Sequence, residues 1–487
     1  MSTTYDGDLW ALSAKEQADL VARREASPTE VVLAALDRME EVEPLVHAFS
    51  TPSPEAAIEE ARRQEQRLAA GEYVGPLAGV PVGVKDLIAT KGLRTTCGSA
   101  AYRDFVPDED DVVVERLKAA GAIVIGKTNV PEFGYSGVGH NPVHETTRNP
   151  WDLRMTPGGS SAGSGAAVAA GVCPFALGSD GGGSVRIPSA HSGLVGFKAS
   201  MGRVPLYPGC RDERYPGISS WESLEHIGPM ARTVEDAALM MTVIAGPDHR
   251  DRHSIPCDDV DWLAALEVPR RRLRITWSPD FGYVAVDPEV RRVTEEAVRR
   301  LAGALDCDLN ERTPDWDDPF EAFWGIVALD TDLRGMRAMV AEHRHEMTPH
   351  LVDFLDRPWT AEQLTDALRG RKAFVNRMWR FMEGCDLLVT PTLTVPPFPV
   401  HMQGPEKVDG RIVSPFQWLS FTLPINLTGQ PAISVPAGFT ADGLPVGLQI
   451  VGRHLGDATV LGAAAAYERA SDWRDRRPAL LETSEVA

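Results

Sequence analysis

A chain of 487 residues is long enough to bury a substantial apolar core, and 43% hydrophobic with 24% charged residues is the composition of a globular α/β protein, not of a disordered or fibrous one. A formal net charge of −20 with no long Lys/Arg block excludes a surface built to hold a phosphate backbone, so neither nucleic acid nor an anionic membrane is expected as a partner. Six cysteines, Cys97, Cys173, Cys210, Cys257, Cys307 and Cys385, form no Cys-x-x-Cys pair, which predicts reduced thiols, most of them buried, and no structural zinc.

The opening MSTTYDGDLWALSAKEQADL has no basic stretch followed by an apolar run, and so predicts a cytoplasmic protein. Ser27-Pro28-Thr29-Glu30 reads as a capping box with Pro at the first helical position, and a second helix is predicted from Ser53-Pro54-Glu55 to Gly71. Residues 1–70 are therefore expected to be helical. The texture then changes to short runs rich in Val, Ile and Ala (VPVGV, AIVIG, CPFALG, DLLVTP, AISVP, VGLQIV), separated by helical segments and Gly-rich turns, as buried strands of an α/β sheet require. The longest apolar runs, AAVAAGVCPFAL and AALMMTVIAG, fall short of the ~20 residues of a membrane span and belong to the core. From about 248 to 380 the chain is more charged and more helical, with VRRVTEEAVRRLAGAL and AEQLTDALRGRKAFVNRMWRFM as its clearest helices, so this section is expected to be inserted or peripheral. A last helix is predicted in ATVLGAAAAYERASDW. With no internal repeat and no long polar linker, one large α/β domain is the expectation.

Three motifs fail on their context. Gly121 to Thr128, GAIVIGKT, fits the spacing of a phosphate-binding loop, but Ala-Ile-Val-Ile between the glycines is strand sequence and Pro131 breaks the helix that should follow. In His343 to His350, HRHEMTPH, the histidines flanking Glu346 stand five apart with Pro349 between them, so they cannot share a helix face as zinc ligands. Gly159-Ser160-Ser161-Ala162-Gly163 satisfies the Gly-x-Ser-x-Gly elbow, yet no strand precedes it, and a glycine-rich helix start is the simpler account.

A fourth constellation covers more of the chain. Ser160 and Ser184 each follow paired glycines and stand 24 positions apart. Gly181-Gly182-Gly183-Ser184 places three residues without side chains directly before a serine, so several backbone N–H groups can converge where charge develops in acyl transfer. The turn follows the predicted strand CPFALG, at the strand end where α/β sites gather. Histidine is scarce here, His191 being the nearest. In PVGVKD the alternation directs Lys85 away from Asp86, and a desolvated lysine at a strand end can serve as general base.

Taken together, GVPVGVKDL, GKTNVPEF, PGGSSAGS, GSDGGGSVRIPS, GLVGFK, GPM, LLVTPT and NLTGQPAISVP followed by GLPVGLQIVG closely resemble the amidase signature family, in order and spacing from about residue 25 to 475. The resemblance implies one large α/β/α domain around a central mixed, mostly parallel twisted sheet, and hydrolysis of a small-molecule amide without metal or cofactor. It implies Ser184 as nucleophile, Ser160 as relay serine after a cis peptide bond, and Lys85 as the ultimate base. Backbone N–H groups of Gly181, Gly182, Gly183 and Ser184 would form the oxyanion hole, Asp180 and Arg186 would organise that turn, and Ser161 would be structural. The chain departs from the family pattern at Ala162, Gly181 and Ala199, and Gly181 is expected to widen the acyl side of the pocket or loosen the hole. A homodimer is compatible with this reading. Two alternatives stand beside it: the glutamine-hydrolysing subunit of a tRNA-dependent amidotransferase, although Trp316 to Arg337 lacks a Tyr/Arg-rich recognition pattern, and a catalytically silent interaction protein on the same scaffold. Trp221, Phe323, Trp324 and Trp418 lie in segments suited to set specificity, which leans toward an aromatic or aliphatic amide, although core packing explains them equally well.

Overall fold

The computed structural model describes residues 7–209, 212, 214, 221–267 and 272–480, so Cys210 lies outside the described residues. The other five cysteines are free, with Cys97, Cys173 and Cys385 buried and Cys257 and Cys307 half-buried.

In chain order the strands are β1 (Phe49–Pro52), β2 (Pro81–Lys85), β3 (Ile123–Thr128), β4 (Phe175–Ser179), β5 (Val195–Lys198), β6 (Ile227–Ala231), β7 (Ile275–Trp277), β8 (Leu309–Glu311), β9 (Leu387–Pro391), β10 (Lys407–Val408), β11 (Arg411–Ile412), β12 (Ala432–Phe439) and β13 (Pro445–Gly452). Eleven of them form one sheet in the order β1-β3-β2-β4-β6-β5-β12-β13-β9-β7-β8, while β10 and β11 pair as a separate ribbon. β2, β4 and β9 are buried at every position, which is why they read as continuous Val, Leu and Ala and not as an alternation.

The sheet is mixed, as expected. Its parallel pairings fall in two blocks, β3-β2-β4 and β9-β7-β8. The six other pairings are antiparallel, so the expectation of mostly parallel strands holds within those blocks and not across the whole sheet. The cause is local in part: β12 and β13 are linked by a short turn through Gly443, and so short a connection can join only antiparallel neighbours.

Helices cover both faces. A side chain at Gly447 would meet Ala190 of the Arg186–Ser192 helix, whereas one at Gly452 would meet Val460 of the Asp457–Arg469 helix. Odd and even positions of β13 therefore face different helix layers, the α/β/α arrangement. The N-terminal helices Ala14–Ala22, Pro28–Val46 and Pro54–Ala69 are present, and Ser27 and Glu30 exchange both capping-box hydrogen bonds, at 2.7 and 3.1 Å. The section from 248 to 380 adds β7 and β8 at one edge of the sheet, together with the helices Pro288–Ala304, Phe320–Asp330, Leu333–His343, Pro349–Asp356 and Ala361–Glu383. Among the described residues no helix is long and apolar enough to cross a membrane.

The topology also fixes where chemistry can occur. β2 and β4 run parallel with Val84 opposite Leu177, which brings Lys85 and Ser179 together at the same carboxyl edge. The glycine turn begins one residue after β4, and Ser160 and Ser161 lead into the Ala162–Ala169 helix packed against that strand.

Candidate active site

Lys85 is 1% exposed, and its Nζ lies 2.7 Å from Ser160 Oγ, 2.9 Å from Ser179 Oγ and 3.1 Å from the Ser179 carbonyl oxygen. Three neighbours suit the three hydrogens of the ammonium form. Once the amine is neutral, two N–H groups can still donate to Ser179 while the lone pair accepts from the Ser160 hydroxyl. Burial lowers Lys85 from the ordinary 10.5 to about 8, while the charges of Glu225 and Asp180 oppose the shift. The Gly159–Ser160 peptide bond is cis, as the resemblance implied.

Ser184 lines the same cavity as Ser160 and Ser179. Asp180 folds the turn that carries it. Its carboxylate accepts the N–H of Gly183 at 2.8 Å and of Val185 at 3.2 Å, and pairs with Arg186 at 3.0 Å to Nε and 2.9 Å to a terminal nitrogen. Arg186 is fully buried and reaches on to Gln449 and Asn426, both at 2.6 Å. Burial alone would raise the Asp180 carboxyl, but the Arg186 guanidinium overrides it and holds Asp180 well below the usual carboxylate range. Asp180 thus joins the turn's N–H groups to the Arg186 guanidinium.

Gly183 departs from expectation. Its N–H is held by Asp180 and therefore points into the turn, which leaves the N–H groups of Gly181, Gly182 and Ser184 as the candidates for an oxyanion hole. Glycine is still required there, because φ is +124° and a side chain would meet Thr422 Oγ1 at 2.5 Å. Gly181 corrects a second expectation. The space of its missing side chain is not open: Glu225 Oε2 would stand 2.7 Å and the Trp221 ring 3.0 Å from a β-carbon, so the glycine admits these two groups instead of widening the pocket. Ser161 accepts the Ser179 N–H at 3.3 Å and donates to the Ser179 carbonyl at 3.2 Å, so its hydroxyl ties the helix start to β4.

The remaining sequence candidates are dispersed. His191 is buried, stacked on Trp418 at 5.5 Å, and pushed down to about 4 by burial, so it belongs to the core along with Trp418. Lys127 of the GAIVIGKT stretch is buried in β3, with its amine on Ile88 O and Thr90, out of reach of a nucleotide. His345 lies in the short 3-10 helix Arg344–Glu346 and His350 in the first turn of the Pro349–Asp356 helix, and among the described residues no group of His, Cys, Asp and Glu could hold a metal ion. Trp221, Phe323 and Trp324 do line the cavity, together with Tyr135, Phe320 and Phe416. Sequence reasoning passed over Ser179 and Glu225. Ser179 stands inside the quoted GSDGGGS motif, but only the pairing of β2 with β4 reveals its contact with Lys85.

A family model described as Amidase matches residues 30–461. The chain is 40% identical over 482 residues to an acylamidase of Rhodococcus erythropolis, an alignment covering 96% of this chain and 97% of that protein. It is 34% identical over 499 residues to a glutamyl-tRNA(Gln) amidotransferase subunit of Geobacter metallireducens, covering 96% and 99%. Its fold matches the crystal structure of a bacterial aryl acylamidase of the amidase signature enzymes with a TM-score of 0.87 at 31% identity, covering 95% of this chain and 98% of that one.

Proposed function

The chain belongs to the amidase signature family, and from that premise we propose that it cleaves a small amide bearing an apolar or aromatic group through an acyl-enzyme on Ser184, with Ser160 passing the proton to Lys85. It is a hydrolase of carbon–nitrogen amide bonds. The observation that carries the mechanism is the buried Lys85 amine 2.7 Å from Ser160, its other two neighbours both on Ser179.

As Ser184 Oγ attacks the carbonyl carbon, its proton moves to Ser160, whose own proton passes to the neutral Lys85. Negative charge on the carbonyl oxygen meets the N–H groups of Gly181, Gly182 and Ser184. Collapse of the tetrahedral adduct returns the proton from Lys85 through Ser160 to the departing nitrogen. A water then releases the acid by the same relay in reverse roles. No step needs a group beyond these side chains and water.

A second reading, glutamine hydrolysis for a tRNA-dependent amidotransferase, draws on the 34% identical relative from Geobacter metallireducens. The cavity favours the apolar amide: its wall is mainly aromatic and aliphatic, and the described residues lining it include no Arg or Lys to pair with the α-carboxylate of glutamine. A panel of anilides, aliphatic amides, esters and free glutamine, assayed for release of amine, alcohol or ammonia, tests this. Aryl and alkyl amides are expected to be cleaved with the highest kcat/KM. Glutamine as the preferred substrate would overturn the assignment.

A further inference from the structure

The cavity wall carries one carboxyl that the relay does not use. Asp111 precedes the Val112–Ala119 helix, is 1% exposed, and lines the cavity beside Ile88, Leu206 and Gly209. Its Oδ1 accepts the Val113 N–H at 3.1 Å, the ordinary work of a helix cap. Its Oδ2 is buried with no hydrogen-bond partner among the described residues. That oxygen lies 3.5 Å from where a side chain on Gly209 would begin, so the glycine places no side chain over it. Capping needs a single oxygen, which Ser or Asn supplies as well, and so does not explain a second one buried and unpaired among the described residues. Burial pushes this carboxyl up to about 8, so it is largely protonated at neutral pH. With Oδ1 engaged as an acceptor, the proton resides on Oδ2, and the cavity is offered an O–H donor.

We propose that Asp111 is a substrate-binding, specificity-determining residue, whose Oδ2 donates a hydrogen bond to an acceptor oxygen, such as an ether or a second carbonyl, carried by an otherwise apolar amide. This rests on the amidase reading and deepens it by naming the substrate class. Aromatic residues, Tyr135, Trp221, Phe323 and Trp324 among them, supply apolar contact for the rest of that molecule, and Asp111 supplies a fixed polar point. A substrate without the acceptor leaves the buried donor unpaired, which weakens binding of the transition state.

The test uses two series of amides. A terminal methoxy group is compared with its ethyl isostere, at the end of the acyl chain in one series and on the amine in the other, with chain length varied one carbon at a time. kcat/KM is measured for the wild type, Asp111→Asn and Asp111→Ser. Both variants keep a capping oxygen, but Asn retains a donor directed at the cavity and Ser is too short to reach. At one length in one series the wild type is expected to prefer the methoxy compound by about 10-fold or more. Asp111→Asn should keep that preference within about 3-fold, and Asp111→Ser should bring the two compounds within about 2-fold of each other. Absence of any preference in both series, or a preference that survives in Asp111→Ser, overturns the proposal. Fluorophosphonate labelling of Ser184 in the same three proteins separates the causes. A labelled enzyme without methoxy preference sinks this inference alone, whereas an unlabelled wild type sinks the amidase mechanism with it.

Discussion

Replacing Lys85 by Met tests the relay at its base, because Met keeps the apolar stem and removes only the nitrogen. The wild-type amine is shifted from 10.5 to about 8, chiefly by burial. The reactive form is the neutral one, so kcat/KM should rise with pH, level off above about 8, and fall as acid protonates the lone pair. At pH ~6 only about 1% of the amine is neutral, which places kcat/KM about 100-fold below the plateau with a slope of one. At pH ~7 the neutral fraction is about one in ten, against about one in 3,000 for an exposed lysine, a gain of about 300-fold or roughly 3.4 kcal/mol of barrier. The assay is kcat/KM from pH ~5.5 to ~9.5 with an uncharged amide, so that the substrate contributes no ionisation. Lys85→Met should lose about 10² to 10⁴ in rate, and the ionisation should vanish with it. A flat wild-type profile across this range, or an unchanged inflection in Lys85→Met, would place the base elsewhere.

Other consequences are independent of that profile. Ser160→Ala removes the relay but leaves nucleophile and oxyanion donors, so Ser184 should still acylate, about 10² to 10⁴ more slowly in stopped-flow burst measurements. Asp180→Ala strands the fully buried Arg186 guanidinium and removes its two hydrogen bonds to the carboxylate, and should cost about 3 to 5 kcal/mol in urea unfolding; a loss under about 1 kcal/mol would show that the ion pair does not organise the turn. Gly181→Ala drives a β-carbon to 2.7 Å from the Glu225 carboxylate, and should lower kcat/KM about 10-fold or more by displacing the adjacent N–H donors. Unchanged kinetics in that variant would mean that Glu225 yields freely.

The strands that sequence reveals are the ones buried on both faces. β2, β4, β9, β12 and β13 are continuous apolar runs, because helices cover the sheet on either side. β1 escapes notice inside a section expected to be helical, since Phe-Ser-Thr-Pro is a short edge strand with neither an apolar run nor an alternation. β7 and β8 are three residues each and take their strand character from pairing with β9 and with each other. The site divides along the same line. Lys85, Ser160, Ser184 and the Asp180–Arg186 pair are legible because motifs hold them in short windows. Gln449 and Asn426, which complete the Arg186 network from more than 200 positions away, become visible only once β13 and the Leu423–Thr428 helix are packed beside the turn. The hydrogen bond from Gly183 to Asp180 is equally hidden, since a run of glycines states that a turn is possible without stating which N–H faces inward.

The most direct test of the central claim is the position of the covalent bond. A fluorophosphonate adduct, mapped by peptide mass spectrometry in the wild type, Ser161→Ala and Ser184→Ala, distinguishes the nucleophile from the serine that ties the helix to β4. The adduct is expected on the peptide containing Ser184 in the wild type and in Ser161→Ala, and on no peptide in Ser184→Ala. An adduct on the Ser161 peptide that persists in Ser184→Ala would contradict the account.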